Sequence, residues 1–230
     1  MNEEIVFWKE LLEKELRFGS RDMFLGYRLR GLQNRLSGFF YDKPVDYRVF
    51  SKGGFRGKLL DVGCGPVSYF EGFPELDVVA VDPNLEGYAQ ANSEFFKLGE
   101  VNNVKYISGF LTNDAVFKAD MIWCTNVLDH DENYRDILAP FSDLLTDAGV
   151  CLLQTDCRSR WNVNACHPGV FTQKELLATI KDLGFMVYYN NSVKGFHGED
   201  SLYLLFGKPD KFQDIANQEF YNYHQKKSKE

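Results

Sequence analysis

No two of the five cysteines, Cys64, Cys124, Cys151, Cys157 and Cys166, stand at C-x-x-C spacing. That excludes a zinc ribbon and a redox dithiol of this kind, and the odd, scattered set argues against a disulfide framework. No apolar run approaches the roughly 20 residues that a membrane-spanning helix needs. The N-terminus lacks the basic-then-apolar order of a secretory signal. A cytoplasmic protein without a membrane partner is therefore the expectation. Positive charge is not in excess either. With 33 acidic and 26 basic side chains the net charge is -7, which argues against a nucleic-acid groove as the main binding surface. Internal repeats and low-complexity linkers are lacking too, so none of the 230 residues is set aside for a solenoid or a long tether.

What is present is an ordinary globular composition, 44% hydrophobic and 26% charged, enough to fill one domain core with residues left for a cap. Residues 2–18 have Ile5, Trp8, Leu12 and Leu16 near one face of a helix. A second helical stretch, 21–36, carries Met23, Tyr27 and Arg30, with Arg28 and Arg35 reading as exposed. Residues 37–57 show no period. Segment 1–57 thus reads as an N-terminal helical cap, 58–207 as the core, and 208–230 as a C-terminal extension with a helix near 212–223, the whole forming one structural domain.

From Lys58 the pattern alternates strand and helix, as in a parallel sheet with helices on both faces. Seven strands are expected, at 58–62, 77–82, 104–108, 119–125, 150–155, 185–189 and 201–206. Helices are expected after Pro66, from Pro83 to Leu98, across Tyr134 to Leu145 with a bend at Pro140, and from the Thr172–Glu175 capping box to Gly184. The connection 190–200 has no helical period, so the last two strands read as an antiparallel pair.

The chemistry gathers at the strand ends. Lys58-Leu59-Leu60-Asp61-Val62-Gly63-Cys64-Gly65-Pro66 is an apolar strand ending in an acid and a turn with two glycines. Glycine lets backbone approach a ligand where a Cβ would collide. Asp82 ends the next strand, where a carboxylate can accept hydrogen bonds from both hydroxyls of a ribose. Ser68 stands where a dinucleotide fingerprint would place its third glycine.

Leu-Leu-Asp-Val-Gly-Cys-Gly-Pro resembles the first motif of class I S-adenosylmethionine-dependent methyltransferases. Val79-Ala80-Val81-Asp82-Pro83 resembles their acidic second-strand motif, and Asp120 to His130 is similar to the fourth-strand segment ending Asn-x-Leu-Asp-His. The likeness spans about 58–206. It implies an α/β fold with a seven-stranded Rossmann-like sheet, mostly parallel with an antiparallel last strand. It also implies S-adenosyl-L-methionine as cofactor and a small-molecule methyl acceptor. Asp61 and the Gly63, Cys64 and Gly65 backbone would hold the methionine end, and Asp82 with Pro83 the ribose. Gly109, Phe110 and Leu111 would lie along the adenine, while Asn126 and Val127 would face the transferred methyl. Phe110 departs from the pattern, because an Asp commonly contacts the adenine amino group there. Either backbone amides with apolar packing would then hold the adenine, or Asn113 or Asp114 would substitute.

His130 and His167 are the candidate bases, since histidine is the side chain whose ordinary pKa suits proton transfer near neutrality. Asp129 and Asp156 are possible orienting acids and also plain solvated ones. Cys157, Cys166 and His167 lack the spacing and the fourth partner of a metal site, so no metal is expected. Arg158, Arg160 and Trp161, in the long loop 156–171, are candidates for an anionic or sugar-like acceptor. Tyr27, Arg28 and Arg30 could reach the cofactor carboxylate, but helical propensity alone leaves them on the surface. The likeness is greatest to bacterial enzymes that modify metabolites or sugars, at an oxygen or nitrogen atom. A catalytically silent cofactor-binding partner protein and an NAD-dependent oxidoreductase remain the alternatives.

Overall fold

The computed structural model describes residues 3–14, 20–40, 46–50, 55, 57–93, 96, 98–112, 117–157, 167–194 and 200–209. Asn113, Asp114, Arg158, Arg160, Trp161, Cys166 and the expected helix at 212–223 lie outside them. Two helices lead the chain, α1 (Glu3–Lys14) and α2 (Arg21–Phe39). The Ser20 side chain caps α2 by accepting from the Met23 amide, which satisfies one of the first-turn donors.

The strands are β1 (Lys58–Val62), β2 (Asp77–Asp82), β3 (Gly99–Val101), β4 (Val104–Ser108), β5 (Ala119–Thr125), β6 (Leu145–Cys157), β7 (Met186–Lys194) and β8 (Asp200–Gly207). They form one sheet in the order β3-β4-β2-β1-β5-β6-β8-β7. The pairs β4–β2, β2–β1, β1–β5 and β5–β6 are parallel, and β8 runs antiparallel to both β6 and β7. The α/β class and the reversed last strand agree with the sequence reading.

The count does not, because there are eight strands among the described residues rather than seven. The added one, β3, pairs antiparallel with β4 across the Asn102–Asn103 turn. Asn102 takes φ 55° there, a left-handed conformation that asparagine tolerates better than most residues. A three-residue edge strand leaves no readable alternation, and the reading had carried the preceding helix up to it. That helix, α3, spans only Leu85–Ala91.

Three further elements differ. After Pro66 there is no α-helix but a 3-10 turn, Tyr69–Gly72, capped by Ser68. The helix expected to bend at Pro140 instead breaks there into α4 (Tyr134–Leu138) and α5 (Phe141–Leu144), since proline has no amide to continue the ladder. Strand β6 begins at Leu145, five residues early. The capping box is present as expected: Thr172 Oγ1 accepts from the Glu175 amide and Glu175 accepts from the Thr172 amide, opening α6 (Gln173–Asp182).

Both sheet faces are covered, which explains the near-continuous apolar runs of β1, β2 and β5. One face carries Leu59, Val78, Ala80, Met121, Trp123 and Leu152, packed with Phe24, Leu32, Leu36 and Phe39 of α2. The other carries Leu60, Val62, Val79, Val81, Ile122 and Leu153, packed with residues of α4, α5 and α6. Helix α2 thus shares its core with the sheet. No described helix is long and apolar enough to cross a membrane.

Candidate active site

Strands β1, β2 and β5 end side by side, and their terminal residues open into a cavity of about 710 Å³, within the range of small-molecule sites. Gly63 leaves β1 with φ 63°, and its amide donates to Val81 O at 2.8 Å. A Cβ on Gly63 would lie 2.3 Å from a Val127 methyl, so the turn between β1 and the 3-10 helix requires glycine there for two independent reasons.

Asp82 ends β2 with 4% of its surface exposed. Its Oδ2 accepts from the Gly65 amide at 2.9 Å and its Oδ1 from the Asn84 amide at 2.8 Å. Burial, and then the charge of Glu4, push its pKa up to about 6, against these two amide bonds and Arg28, which lower it. Glu4 is there because α1 packs close against α3, where a Cβ on Gly87 would meet the Ile5 side chain at 2.2 Å. Glu4 Oε2 accepts from the Asn84 side chain at 3.0 Å. Glu3 and Glu4 thereby wall one side of the cavity, a contribution no cofactor motif signals.

Of the residues singled out in the sequence, Gly63, Asp82, Pro83, Gly109, Phe110, Leu111, Asn126, Val127 and His130 line this cavity. The Phe110 ring stands 70% exposed at its edge. Asn126 holds φ 59° and its amide donates to Gln154 O at 2.8 Å, a strained turn of the kind found where backbone must be aimed.

Asp61, Cys64, Gly65 and His167 do not line the cavity. Cys64 turns into the core, its thiol donating to Gly65 O at 3.2 Å, and burial pushes that thiol well up. Asp61 lies behind the turn and accepts from Ser68 Oγ at 2.6 Å. This is the use of Ser68 in place of a glycine. The network continues from the Ser68 amide to Tyr106 Oη at 2.9 Å, from that hydroxyl to Glu71 at 2.7 Å, and from Arg21 to Glu71 at 2.6 Å. It ties α2 to the back of the loop.

Full burial raises Asp61 to about 7, partly countered by Ser68 and Arg28. An unfolded aspartate releases its proton near 3.9. Between those values the native chain binds the extra proton, so this contribution to stability is complete below about pH 4 and is lost as pH rises through 7. Asp61→Asn is expected to flatten that fall in denaturant titrations between pH 4 and 7; an unchanged slope would remove the assignment.

Arg28 overturns the surface reading. It is 7% exposed, its Nη2 donates to Cys64 O at 2.8 Å, and its guanidinium lies 3.9 Å from the Tyr69 ring centroid and 5.4 Å from that of Trp8. Its Nε is buried with no hydrogen-bond partner among the described residues. Arg35 is also drawn inward, donating from Nε to Tyr69 Oη at 3.1 Å and from Nη1 to Gln154 Oε1. Helical period could not have found either, because arginine is buried here by its ring and carbonyl partners.

His130 closes the 3-10 turn Leu128–His130 after β5, and Asn126 Nδ2 reaches its Nε2 at 3.0 Å. The His167 ring lies at a centroid distance of 4.4 Å from that of His130. Gly169 makes this approach possible. Its amide donates to Asp129 O at 3.0 Å, and a Cβ there would lie 2.8 Å from the Leu128 and Asp131 carbonyl oxygens. Backbone cannot yield as a side chain can, so Gly169→Ala is expected to cost about 1–3 kcal/mol in denaturant unfolding and to separate the two rings. Wild-type stability in that variant would show the approach to be loose.

Residues 24–206 match the family described as a methyltransferase domain. The chain belongs to that family. No curated protein matches it, but solved structures share its fold. One is an S-adenosylmethionine-dependent methyltransferase from Clostridium acetobutylicum, 12% identical, with a TM-score of 0.54 over 76% of this chain and 92% of the other. Another is the 1,6-didemethyltoxoflavin-N1-methyltransferase of Burkholderia thailandensis, solved with 1,6-didemethyltoxoflavin and S-adenosylhomocysteine, 18% identical, with a TM-score of 0.52 over 83% and 87%. Membership makes this methyltransferase a class I enzyme with S-adenosylmethionine as cofactor. The residues present fit that group: Asp82 puts a carboxylate on the cavity wall, Gly63 leaves backbone there without a Cβ, and Arg28 is a buried cation bonded to the Cys64 carbonyl behind it.

Proposed function

We propose that this methyltransferase moves the methyl group of S-adenosylmethionine to an oxygen or nitrogen atom of a small molecule. The observation that carries the reading is one cavity lined by Gly63, Asp82, Asn126, Val127 and His130 together. In this reading Asp82 takes the ribose hydroxyls, Pro83 shapes the turn beside them, and Phe110 and Leu111 pack the adenine. Arg28 takes the methionine carboxylate with its unpartnered Nε edge. The backbone at Gly63 keeps the methionine chain close.

The acceptor atom attacks the methyl carbon in line with the carbon–sulfur bond. The new bond forms as the old one breaks, and the electron pair leaves on sulfur, which becomes a neutral thioether. Sulfonium is a good leaving group, so placing the acceptor supplies much of the rate. An acceptor that carries a proton gives it to His130, with His167 packed behind. The acidic wall of Glu3, Glu4, Asp131 and Asp136 favours a neutral or cationic acceptor over an anionic one.

Calorimetry with S-adenosylmethionine and then turnover on panels of hydroxylated and amine metabolites test the reading. No binding overturns it, and binding with no product on any panel leaves a cofactor-binding partner protein. Asp82 must be ionised to accept both hydroxyls, and below about pH 6 it holds a proton. Affinity for S-adenosylmethionine is therefore expected to fall roughly tenfold per pH unit below 6 and to level off above it. A flat profile from pH 5 to 8 would remove Asp82 from the ribose.

A further inference from the structure

We propose that Asp129, His130 and His167 form a site for one divalent transition-metal ion of the zinc class, beside the cavity wall that His130 lines. One ligand atom from each of the three lies within 4.8 Å of the others, and His167 Nε2 is 3.9 Å from Asp129 Oδ2. A tetrahedral ion with bonds of about 2.0–2.2 Å holds its ligand atoms about 3.3–3.6 Å apart, so the cluster needs to close by roughly 1 Å. Half-buried histidine rings can supply that by rotation about χ angles. Two imidazoles and one carboxylate suit zinc, cobalt, nickel or iron(II), and not magnesium or calcium, which prefer all-oxygen shells.

The site is built rather than incidental. Asp129 is fully buried. Its backbone carbonyl is tied to the Gly169 amide, and Gly169 has no room for a side chain. That tie brings His167 beside the His130 ring. Asn126 Nδ2 lies 3.0 Å from His130 Nε2 and fixes the place of that ring. Three protein ligands leave a fourth position open, as in metal sites that bind substrate, and His130 is the ligand that faces the cavity. A ligated nitrogen cannot accept a proton, so an ion there would exchange base chemistry at His130 for acidification of a bound acceptor hydroxyl.

The site stands on this cluster alone, so its test is independent of methyl transfer. The full chain, stripped with a chelator, is titrated with Co2+ and read by visible absorption, and with Zn2+ by calorimetry. One ion per chain is expected. His167→Gln and His130→Ala are expected to weaken binding at least tenfold, while His197→Ala and His224→Ala leave it unchanged. Thermal melts report whether each variant is folded. No stoichiometric binding at about 100 μM ion, or binding that survives the His130/His167 double substitution, overturns the site. Absent cofactor binding beside intact metal binding would instead count against the methyltransferase assignment alone.

Discussion

Asp82→Ala is expected to weaken S-adenosylmethionine binding by about 100-fold or more. A hydrogen bond to a charged group contributes about 1.5–3 kcal/mol, and a ribose offers two hydroxyls to this one carboxylate. The carboxylate also organises the site before cofactor arrives, since its two oxygens hold the amides of Gly65 and Asn84. Removing it frees the turn after β1 and the start of α3 together, so the glycine loop loses its shape as well as its partner. Asp82→Asn separates these effects, because the amide keeps an acceptor for one of the two backbone donors. Asparagine is expected to retain most of the fold and lose most of the affinity. Calorimetry on both variants, with melting curves alongside, checks this. Wild-type affinity in Asp82→Ala would show that the ribose is held elsewhere.

Arg28→Met is expected to lower stability by about 3–5 kcal/mol, the cost of leaving buried charge without its counterpart. The guanidinium lowers the pKa of both Asp61 and Asp82, two carboxylates that burial already pushes up. It also bridges three elements, being carried on α2, bonded to Cys64 O and stacked on Tyr69. Methionine fills much of the same space and keeps contact with the rings, so the loss reads the charge rather than a cavity. As pH falls and the carboxylates take up protons, the deficit should shrink. Denaturant unfolding at pH 5 and pH 8 measures both the size and the trend. A variant as stable as wild type at pH 8 would show that Arg28 does not balance these acids. The same substitution is expected to abolish measurable cofactor binding, and Arg28→Lys, which keeps the charge without the planar fork, to recover part of it.

The parts of the site legible in the sequence are those that local chain geometry makes. Gly63 and Gly65 both show positive φ, and a turn of that kind announces itself by residue type within a few positions. Asp82 is legible for the same reason, as the end of a short apolar strand. The capping box at Thr172 and Glu175 and the interior strand β5 belong to this class too. Strand β3 and the break at Pro140 were less legible because each depends on pairing or packing that outweighs a weak local preference.

Other features have no local signature. Arg28 reads as a surface residue in any helical window and becomes a buried cation only because Tyr69, Trp8 and the Cys64 carbonyl surround it. Glu4 reaches the cavity beside Asp82 and Asn84 because Gly87, on another helix, lets α1 sit down on α3. Cys64 stands inside the motif and yet faces the core, and Asp61 serves the loop from behind through Ser68. His130 and His167 are 37 residues apart in the chain, and no spacing rule joins them.

The sequence by itself therefore determined the fold class, the strand-end turn and the acid that ends β2, because each arises from residues within one strand and its following turn. Only the tertiary structure decided which charges are buried, which helix walls the cavity and that Asp129, His130 and His167 meet. Burial and convergence are properties of surfaces brought together from distant parts of the chain. A carboxylate, a guanidinium or an imidazole acquires its chemistry there from neighbours that its own segment does not contain.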